Sequence, residues 1–313
     1  MIFVDAHCDT ITKIMNEETG LLSNQCHLDL QRLKKAANLH WVQFFAAFIN
    51  PQYNQAYALK RALQIIDKIY EEAYLNKHVM MICRNYNDIK HAARNNLIAA
   101  IISIEGGEAL QGDISVLRCL YRLGVRSICL TWNNRNEIAD GVADDITCGG
   151  LTRFGRKVVK EMNSLGMLID VSHIAEKGFW DVIETTQSPI IASHSNARKI
   201  CNHQRNLTDE QILAIKKNGG VIGINLYPYF LNNSEKASLA DVIKHIEHIS
   251  SLAGCDHVGI GADFDGIDIT PSDITGVQDI PLIINELLKL NYSQESVKKI
   301  AGGNFIRVIK QVL

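Results

Sequence analysis

Eight short apolar runs recur along the chain, and amphipathic stretches separate them. Most of these runs are continuously apolar rather than alternating, which is typical of parallel strands covered on both faces. The stretches between them carry apolar residues at helical spacing. Alternation of strand and helix predicts an α/β fold, and eight repeats favour a (β/α)8 barrel. The predicted strands span residues 2–9, 41–49, 98–105, 126–132, 167–173, 189–194, 221–227 and 258–263.

A doubly wound open sheet is the competing architecture. No GxGxxG motif follows the first run, which disfavours a dinucleotide-binding version of that fold. One helix is predicted to begin with a capping box, in which Thr208 is the N-cap and Gln211 stands three residues later. The chain has no internal repeat, linker or low-complexity tract and only five prolines. Because α/β barrels often reach this length as one domain, residues 1–313 are predicted to form a single catalytic barrel.

The overall composition narrows the functional class. Of the 313 residues, 47% are hydrophobic and 21% are charged, and the formal net charge is −2. No basic stripe points to nucleic acid, and no polybasic segment points to a membrane surface. Eight scattered cysteines without a CxxC pair indicate reduced thiols. With no export signal and no stretch of about 20 apolar residues, we expect a cytoplasmic protein.

Ligand-type side chains stand at the carboxyl ends of the apolar runs. His7 and Asp9 end the first run, and alternation along a strand points both to the same face. Glu105, His173 and His194 end three later runs. In a barrel these ends meet on one rim, where active sites form. Because a buried carboxylate is costly unless it is paired or bound to a metal, the pattern predicts a metal site.

The number of ligands predicts two metal ions. Five ligands exceed what one open tetrahedral zinc takes, but they suit two Zn²⁺ ions that share a carboxylate. His7 and Asp9 would hold one ion, His173 and His194 the other, and Glu105 would bridge them. Such a pair can hold a hydroxide between the ions and polarise a carbonyl. Asp263, which ends the last run, would take the proton from that water and pass it to the leaving group.

These motifs resemble the membrane (renal) dipeptidase family, the zinc peptidases of family M19, which have an amidohydrolase-type barrel. The resemblance implies a binuclear zinc enzyme that cleaves dipeptides, including those with a D-residue in second place. It also implies the same metal ligands, Asp263 as the acid and base, and Arg205 as a substrate-binding arginine. The matching stretches are DAHCDT at 5–10, SIEGGEAL at 103–110, LTWNNRNEIADG at 130–141, GLTRFGRKVVKEMNSLGMLIDVSH at 150–173, IASHSNAR at 191–198, QRNLTDEQI at 204–212 and GIGADFDG at 259–266.

One position departs from the family pattern. Mammalian members carry a histidine after the Leu-Thr pair, where this chain has Trp132. Asn133 or Asn134 could donate to the substrate instead, or the pocket could favour another substrate. Tyr227 follows the seventh run, where it could line the pocket or pack at the top of the barrel.

The expected function is therefore a zinc-dependent dipeptidase that uses a metal-bridging hydroxide. Its expected partner is a small dipeptide, with no nucleic acid and no membrane, and a homodimer is left open. The first alternative is another amidohydrolase activity at the same site, on a lactone, a cyclic amide or an N-acyl amino acid. The second alternative is a metal-binding barrel without catalysis, which the complete ligand set disfavours.

Overall fold

The computed structural model describes residues 1–36 and 40–313, and nine strands in these residues form one parallel sheet. Eight of them coincide with the eight predicted runs, and the third, of three residues, was not predicted. The strands are β1 Ile2–Cys8, β2 His40–Phe48, β3 Met80–Ile82, β4 Ile98–Glu105, β5 Val125–Cys129, β6 Leu168–Asp170, β7 Ile191–Ala192, β8 Val221–Ile224 and β9 Val258–Ile260.

The sheet closes on itself. Its hydrogen-bonded order is β2-β1-β9-β8-β7-β6-β5-β4, and β2 pairs in turn with β4. Closure leaves a ring of eight parallel strands, which confirms the (β/α)8 barrel and excludes the open sheet. Strand β3 is additional and pairs only with the first residues of β4, from Met80 against Ile98 onwards.

Helices follow the strands around the ring. The predicted capping box is confirmed, because Thr208 Oγ1 accepts from Gln211 N at 3.2 Å and Gln211 Oε1 accepts from Thr208 N at 2.9 Å. None of the helices in the described ranges is both long and apolar enough to cross a membrane. The helices are α1 Thr10–Glu17, α2 Leu30–Lys35, α3 Asn54–Leu75, α4 Tyr86–Arg94, α5 Ile114–Arg122, α6 Arg153–Leu165, α7 Glu176–Thr185, α8 Asp209–Asn218, α9 Pro228–Leu231, α10 Leu239–Ala253, α11 Pro281–Lys289, α12 Gln294–Lys298 and α13 Asn304–Val312.

The strands are buried on both faces, as their continuous hydrophobicity predicted. All eight residues of β4 are buried, and so are all of β5 to β9. The ring is so narrow near the site that a side chain at Gly261 would not fit, since an added Cβ would lie 1.7 Å from the carbonyl oxygen of Ser193. The strand ends are therefore held rigidly, and they fix the side chains that project from the carboxyl rim.

Candidate metal centre

The carboxyl rim brings together the five ligand-type side chains that the sequence singled out. His7 lies in β1, Asp9 directly precedes α1, and Glu105 is the last residue of β4. His173 lies three residues beyond β6, and His194 lies two beyond β7. Each of the five is at most 6% exposed. The ends of four strands, β1, β4, β6 and β7, thus supply one buried cluster.

Glu105 lies at the middle of this cluster. Its Oε2 is 3.4 Å from His7 Nε2, and His7 Nε2 is also 3.2 Å from Asp9 Oδ2. Its other oxygen, Oε1, is 2.9 Å from His173 Nε2 and 3.5 Å from His194 Nε2. The two carboxylate oxygens therefore face two different groups of ligands.

Hydrogen bonds fix the tautomers of two of the histidines. His173 Nδ1 lies 2.8 Å from the Oδ1 of Asn133, which can only accept, so Nδ1 carries the ring proton. His194 Nδ1 lies 2.7 Å from the hydroxyl of Ser193, and that hydroxyl donates to Asp170. Ser193 therefore accepts from His194 Nδ1. Both histidines consequently present an unprotonated Nε2 to the cluster, which is the form that binds metal.

The arrangement of these donors fits a bound cation. The Nε2 atoms of His173 and His194 are only 2.8 Å apart, and two lone pairs that face each other repel unless a cation lies against both. The Oδ1 of Asp9 is also buried without a hydrogen-bond partner. Imidazole nitrogens and carboxylate oxygens are the ligands that zinc takes in hydrolases.

The charge states of the cluster agree with this assignment. Burial lowers the pKa of His173 to about 4 and holds the pKa of His194 well below its usual value, so both rings are neutral at pH 7. Burial opposes a charge on His7 as well, but Glu105 and Asp9 raise the pKa of His7 well above its usual value. Burial would likewise raise the pKa of Glu105, but the positive charge of His7 holds it well below its usual value. Glu105 is therefore an ionised acceptor at the centre of the cluster.

Asp263 stands beside the ligands on the loop that follows β9. Its backbone is left-handed, with φ 62°, and its Oδ2 accepts from Asn225 Nδ2 at 2.8 Å. Its Oδ1 lies 3.8 Å from His7 Nε2. Burial raises the pKa of Asp263 to about 7, and the charges of Asp9 and Glu105 add to that effect. A carboxyl group with such a pKa can both accept and return a proton near neutral pH.

Arg205 supplies a buried positive charge at the same rim. It is 4% exposed, and its guanidinium donates to the carbonyl oxygens of Ser172 and His194, with Nη2 3.1 Å from His173 Nε2. Its Nε has no hydrogen-bond partner, and no carboxylate in the described ranges forms an ion pair with it. Two backbone carbonyls therefore orient the Arg205 guanidinium, and its positive charge is available to bind an anion of the substrate.

A cavity of about 440 Å³ opens onto these residues. Trp132 lines it, with its ring centroid 6.2 Å from that of His173 and 5.4 Å from that of Phe48. Asn133 and Tyr227 also line the cavity. The indole thus lies on the wall beside the ligands, and the tryptophan that departs from the family pattern faces the space where a substrate would bind.

Asn134 and Tyr229, which are close in sequence to lining residues, lie elsewhere. Asn134 is exposed and does not line the cavity, so of the two asparagines only Asn133 is placed near a substrate. The hydroxyl of Tyr229 donates to Glu235 at 2.8 Å, and this tyrosine does not line the cavity either.

Comparison with known proteins identifies the family. The model of the membrane dipeptidases, peptidase family M19, matches residues 1–313. The chain belongs to this family. As the sequence predicted, this M19 protein is a zinc-dependent dipeptidase.

Relatives of this dipeptidase are similar along nearly the whole chain. A Klebsiella pneumoniae protein, described as an uncharacterised protein in the pqqA 5′ region, is 37% identical over 242 residues, which are 74% of this chain and 89% of that protein. The crystal structure of dipeptidase AC, an M19 metallopeptidase, is 26% identical with a TM-score of 0.93, and the match covers 100% of this chain and 98% of that one. A Rhodobacter sphaeroides metallopeptidase, solved with a phosphinate mimic of L-Ala-D-Ala, is 27% identical with a TM-score of 0.92 and coverages of 100% and 99%.

Several polar residues that support the site of this M19 dipeptidase were not predicted from the sequence. Asn225, which orients Asp263, directly follows β8. It therefore meets the criterion that identified the metal ligands, a polar residue at the carboxyl end of a strand. Ser172 and Ser193 both donate to Asp170, which lies at the end of β6. Asp265 accepts from the Thr10 hydroxyl at 2.5 Å and from the backbone amide of His27 at 2.7 Å, so it connects its loop to these two distant residues.

Proposed function

We propose that this dipeptidase binds two zinc ions that share Glu105. His7 and Asp9 would hold one ion, and His173 and His194 would hold the other. The observation that carries the proposal is that the two oxygens of Glu105 face these two ligand groups separately. When bound, zinc lowers the pKa of a ligand water and polarises a carbonyl oxygen.

The protein's own residues would move the proton. Asn225 holds Oδ2 of Asp263, which leaves Oδ1 turned toward the metal ligands. From this position Asp263 can take a proton from the attacking water and deliver it to the leaving amine. The fixed orientation of this carboxyl spares the cost of positioning it during the reaction.

Arg205 would bind the free carboxylate of the second residue of the substrate. A buried guanidinium without an acidic partner matches a carboxylate through two parallel hydrogen bonds. Dipeptides should then be favoured over longer peptides, whose second residue has no free carboxylate. We also propose that L- and D-residues are accepted in this place. The L-Ala-D-Ala mimic bound to the Rhodobacter sphaeroides relative supports this extension.

A zinc titration combined with a peptide panel tests the proposal. Metal-free protein should take up two zinc ions per chain, and the loaded protein should cleave L-Ala-L-Ala and L-Ala-D-Ala. It should cleave Ala-Ala-Ala and the amidated dipeptide poorly. Full activity with a single bound ion would exclude the shared-carboxylate arrangement. Cleavage of the amidated dipeptide at the rate of the free acid would exclude the role of Arg205.

Trp132 favours a second candidate function, another amidohydrolase activity at the same centre. An indole on the wall of the cavity makes the space beside His173 more apolar and offers only one donor. Lactones, cyclic amides and N-acyl amino acids should therefore be assayed on the same metal-loaded protein. A higher kcat/KM on one of these classes than on every dipeptide would replace the primary assignment.

A further inference from the structure

A second buried guanidinium borders the cavity, far along the sequence from Arg205. Arg61 lies in α3, is 8% exposed, and has its guanidinium 5.0 Å from the ring centroid of Tyr53. Its Nη2 donates to Asn16 Oδ1 at 3.4 Å, whereas its Nε is buried and has no hydrogen-bond partner among the described residues. No carboxylate in the described parts of the chain forms an ion pair with it. Because burying an uncompensated charge is costly, a bound anion would stabilise the Arg61 guanidinium.

The wall around Arg61 is rich in donors. Lys13 of α1 lines the same cavity, and so does Thr12, whose hydroxyl is buried without a partner. Asn50 and Gln52, which follow β2, also line the cavity. Lys13 has one acidic neighbour, Glu17, at 3.2 Å, but both side chains are more than 40% exposed, so water screens that pair.

The carboxylates that line the cavity have other partners or positions and do not form ion pairs with Arg61 in the described residues. Asp9, Glu105 and Asp263 belong to the metal centre, and Asp265 accepts hydrogen bonds from the Thr10 hydroxyl and the His27 amide. Asp268 is exposed, on the loop after β9. Arg61 also borders an outer groove that is lined by Asp67, Lys68 and Glu71, and neither carboxylate forms an ion pair with it in the described residues. The positive charge of Arg61 is therefore not neutralised within the described protein.

The topology places Arg61 opposite Arg205. In the ring of eight strands, β2 and β7 are separated by three strands on either side. Arg61 follows β2, and Arg205 follows β7. This inference rests on the proposed function, in which Arg205 holds the carboxylate of the second residue. The wall that contains Arg61 then faces the first residue of the dipeptide.

We propose that Arg61, with Lys13 at the mouth of the cavity, forms a subsite for an acidic side chain on the first residue of the substrate. The enzyme would then prefer dipeptides that begin with Glu or Asp. The planar guanidinium can donate two parallel hydrogen bonds to the two oxygens of such a carboxylate, which a neutral amide of the same size cannot match.

Matched dipeptides test the charge preference on the unmodified enzyme. The zinc-loaded protein should cleave Glu-Ala with a kcat/KM about tenfold or more above that for Gln-Ala, because a hydrogen bond to a charged group contributes more than one to a neutral group. Lys-Ala should be the poorest of the series. The ratio of Ala-Glu to Ala-Gln should stay near unity. Equal rates on Glu-Ala and Gln-Ala, or a charge preference only at the second residue, would overturn the proposal.

Variants connect the preference to Arg61. In Arg61→Gln the ratio of Glu-Ala to Gln-Ala should fall toward unity, whereas Arg61→Lys should keep part of it. Lys60→Gln is the matched control, since it removes the same charge from the exposed neighbouring position of α3 and should keep the ratio. An unchanged ratio in folded Arg61→Gln would refute the assignment. If that variant does not fold, the Arg61→Lys protein and the unmodified enzyme decide the question.

Binding separates this inference from the proposed function. Calorimetry on zinc-loaded Asp263→Asn should show tighter binding of Glu-Ala than of Gln-Ala. Equal binding, combined with cleavage of Ala-Ala by the unmodified enzyme, would overturn the subsite and leave the dipeptidase mechanism intact. A charge preference in binding without cleavage of any dipeptide would support the subsite and overturn the proposed reaction.

Discussion

The hydroxyl of Ser193 should control how tightly one zinc ion is held. Its oxygen accepts from His194 Nδ1 at 2.7 Å, and its proton goes to Asp170. This chain of contacts keeps the lone pair of His194 on Nε2, where it faces Glu105. Ser193→Ala removes the acceptor and leaves Nδ1 of a fully buried imidazole without a partner.

The expected loss follows from the contacts that disappear. A lost neutral hydrogen bond costs about 0.5–1.5 kcal/mol, and a buried polar group left unpaired costs about 1–3 kcal/mol. At about 1.4 kcal/mol per factor of ten, zinc affinity at this site should fall on the order of 10- to 100-fold. Changes to hydrogen-bond partners of metal-binding histidines have effects of this size.

Chelator competition at equilibrium measures this loss, and Ser195→Ala provides the control. Ser195 lies one residue beyond His194 and is equally buried, but its Oγ has no hydrogen-bond partner, so its removal should leave both zinc affinities unchanged. In Ser193→Ala the ion held by His173 and His194 should weaken selectively. The reasoning fails if Ser193→Ala binds both ions like the unmodified protein, or if Ser195→Ala loses as much affinity.

Four further changes probe other parts of the site. Asp263→Asn should keep its zinc and lose turnover by about 10²-fold or more, because an amide cannot take the proton, and near-normal turnover would rule out that role. Arg205→Lys keeps the charge but loses the planar fork, so kcat/KM on free dipeptides should fall; an unchanged value would argue against the carboxylate clamp. Trp132→His and Trp132→Ala should alter relative rates across a dipeptide panel, and identical relative rates would show that the indole does not shape specificity. Burial raises the pKa of Glu108 to about 7 from 4.5, so the folded state holds this proton more tightly than the unfolded state does. Its contribution to stability is full below pH 4.5 and is lost as the pH rises through about 7, and Glu108→Gln should flatten that decline in urea unfolding; an unchanged pH profile would contradict the raised pKa.

The barrel could be predicted from the sequence because its strands are continuously apolar. The residues at which the strands end could not be predicted. The run predicted at 167–173 is paired only over Leu168–Asp170, and the run at 189–194 only over Ile191–Ala192. The next residues stay buried while the backbone leaves the sheet to present His173 and His194. Hydrophobicity reports burial rather than strand pairing, so it cannot distinguish the two. Strand β3 was missed because three residues are too few to show a period.

The site was predicted in its residue types but not in its contacts. Positions at strand ends identified the ligands and Asp263, since all parallel strands of a barrel end on one rim. The link from Asp170 through Ser193 to His194 depends on distances between neighbouring strands, which no spacing in the sequence encodes. Arg61 escaped notice because it lies in a helix, seven residues into α3, rather than at the end of a strand. The single domain, the cytoplasmic location and the homodimer stay predictions.

The charges in the cavity follow a simple layout that connects the two proposals. Burial raises the pKa of Asp9 to about 6, and Glu105 stays ionised beside it, so the centre has negative charge that protonated His7 balances only in part. Zinc ions would replace that proton, because an imidazole must be neutral to bind metal. Arg205 and Arg61 stand on opposite walls beyond this centre, each buried and each without an acidic partner in the described chain. A substrate with a carboxylate at each end and a scissile carbonyl between them would match this order of charges.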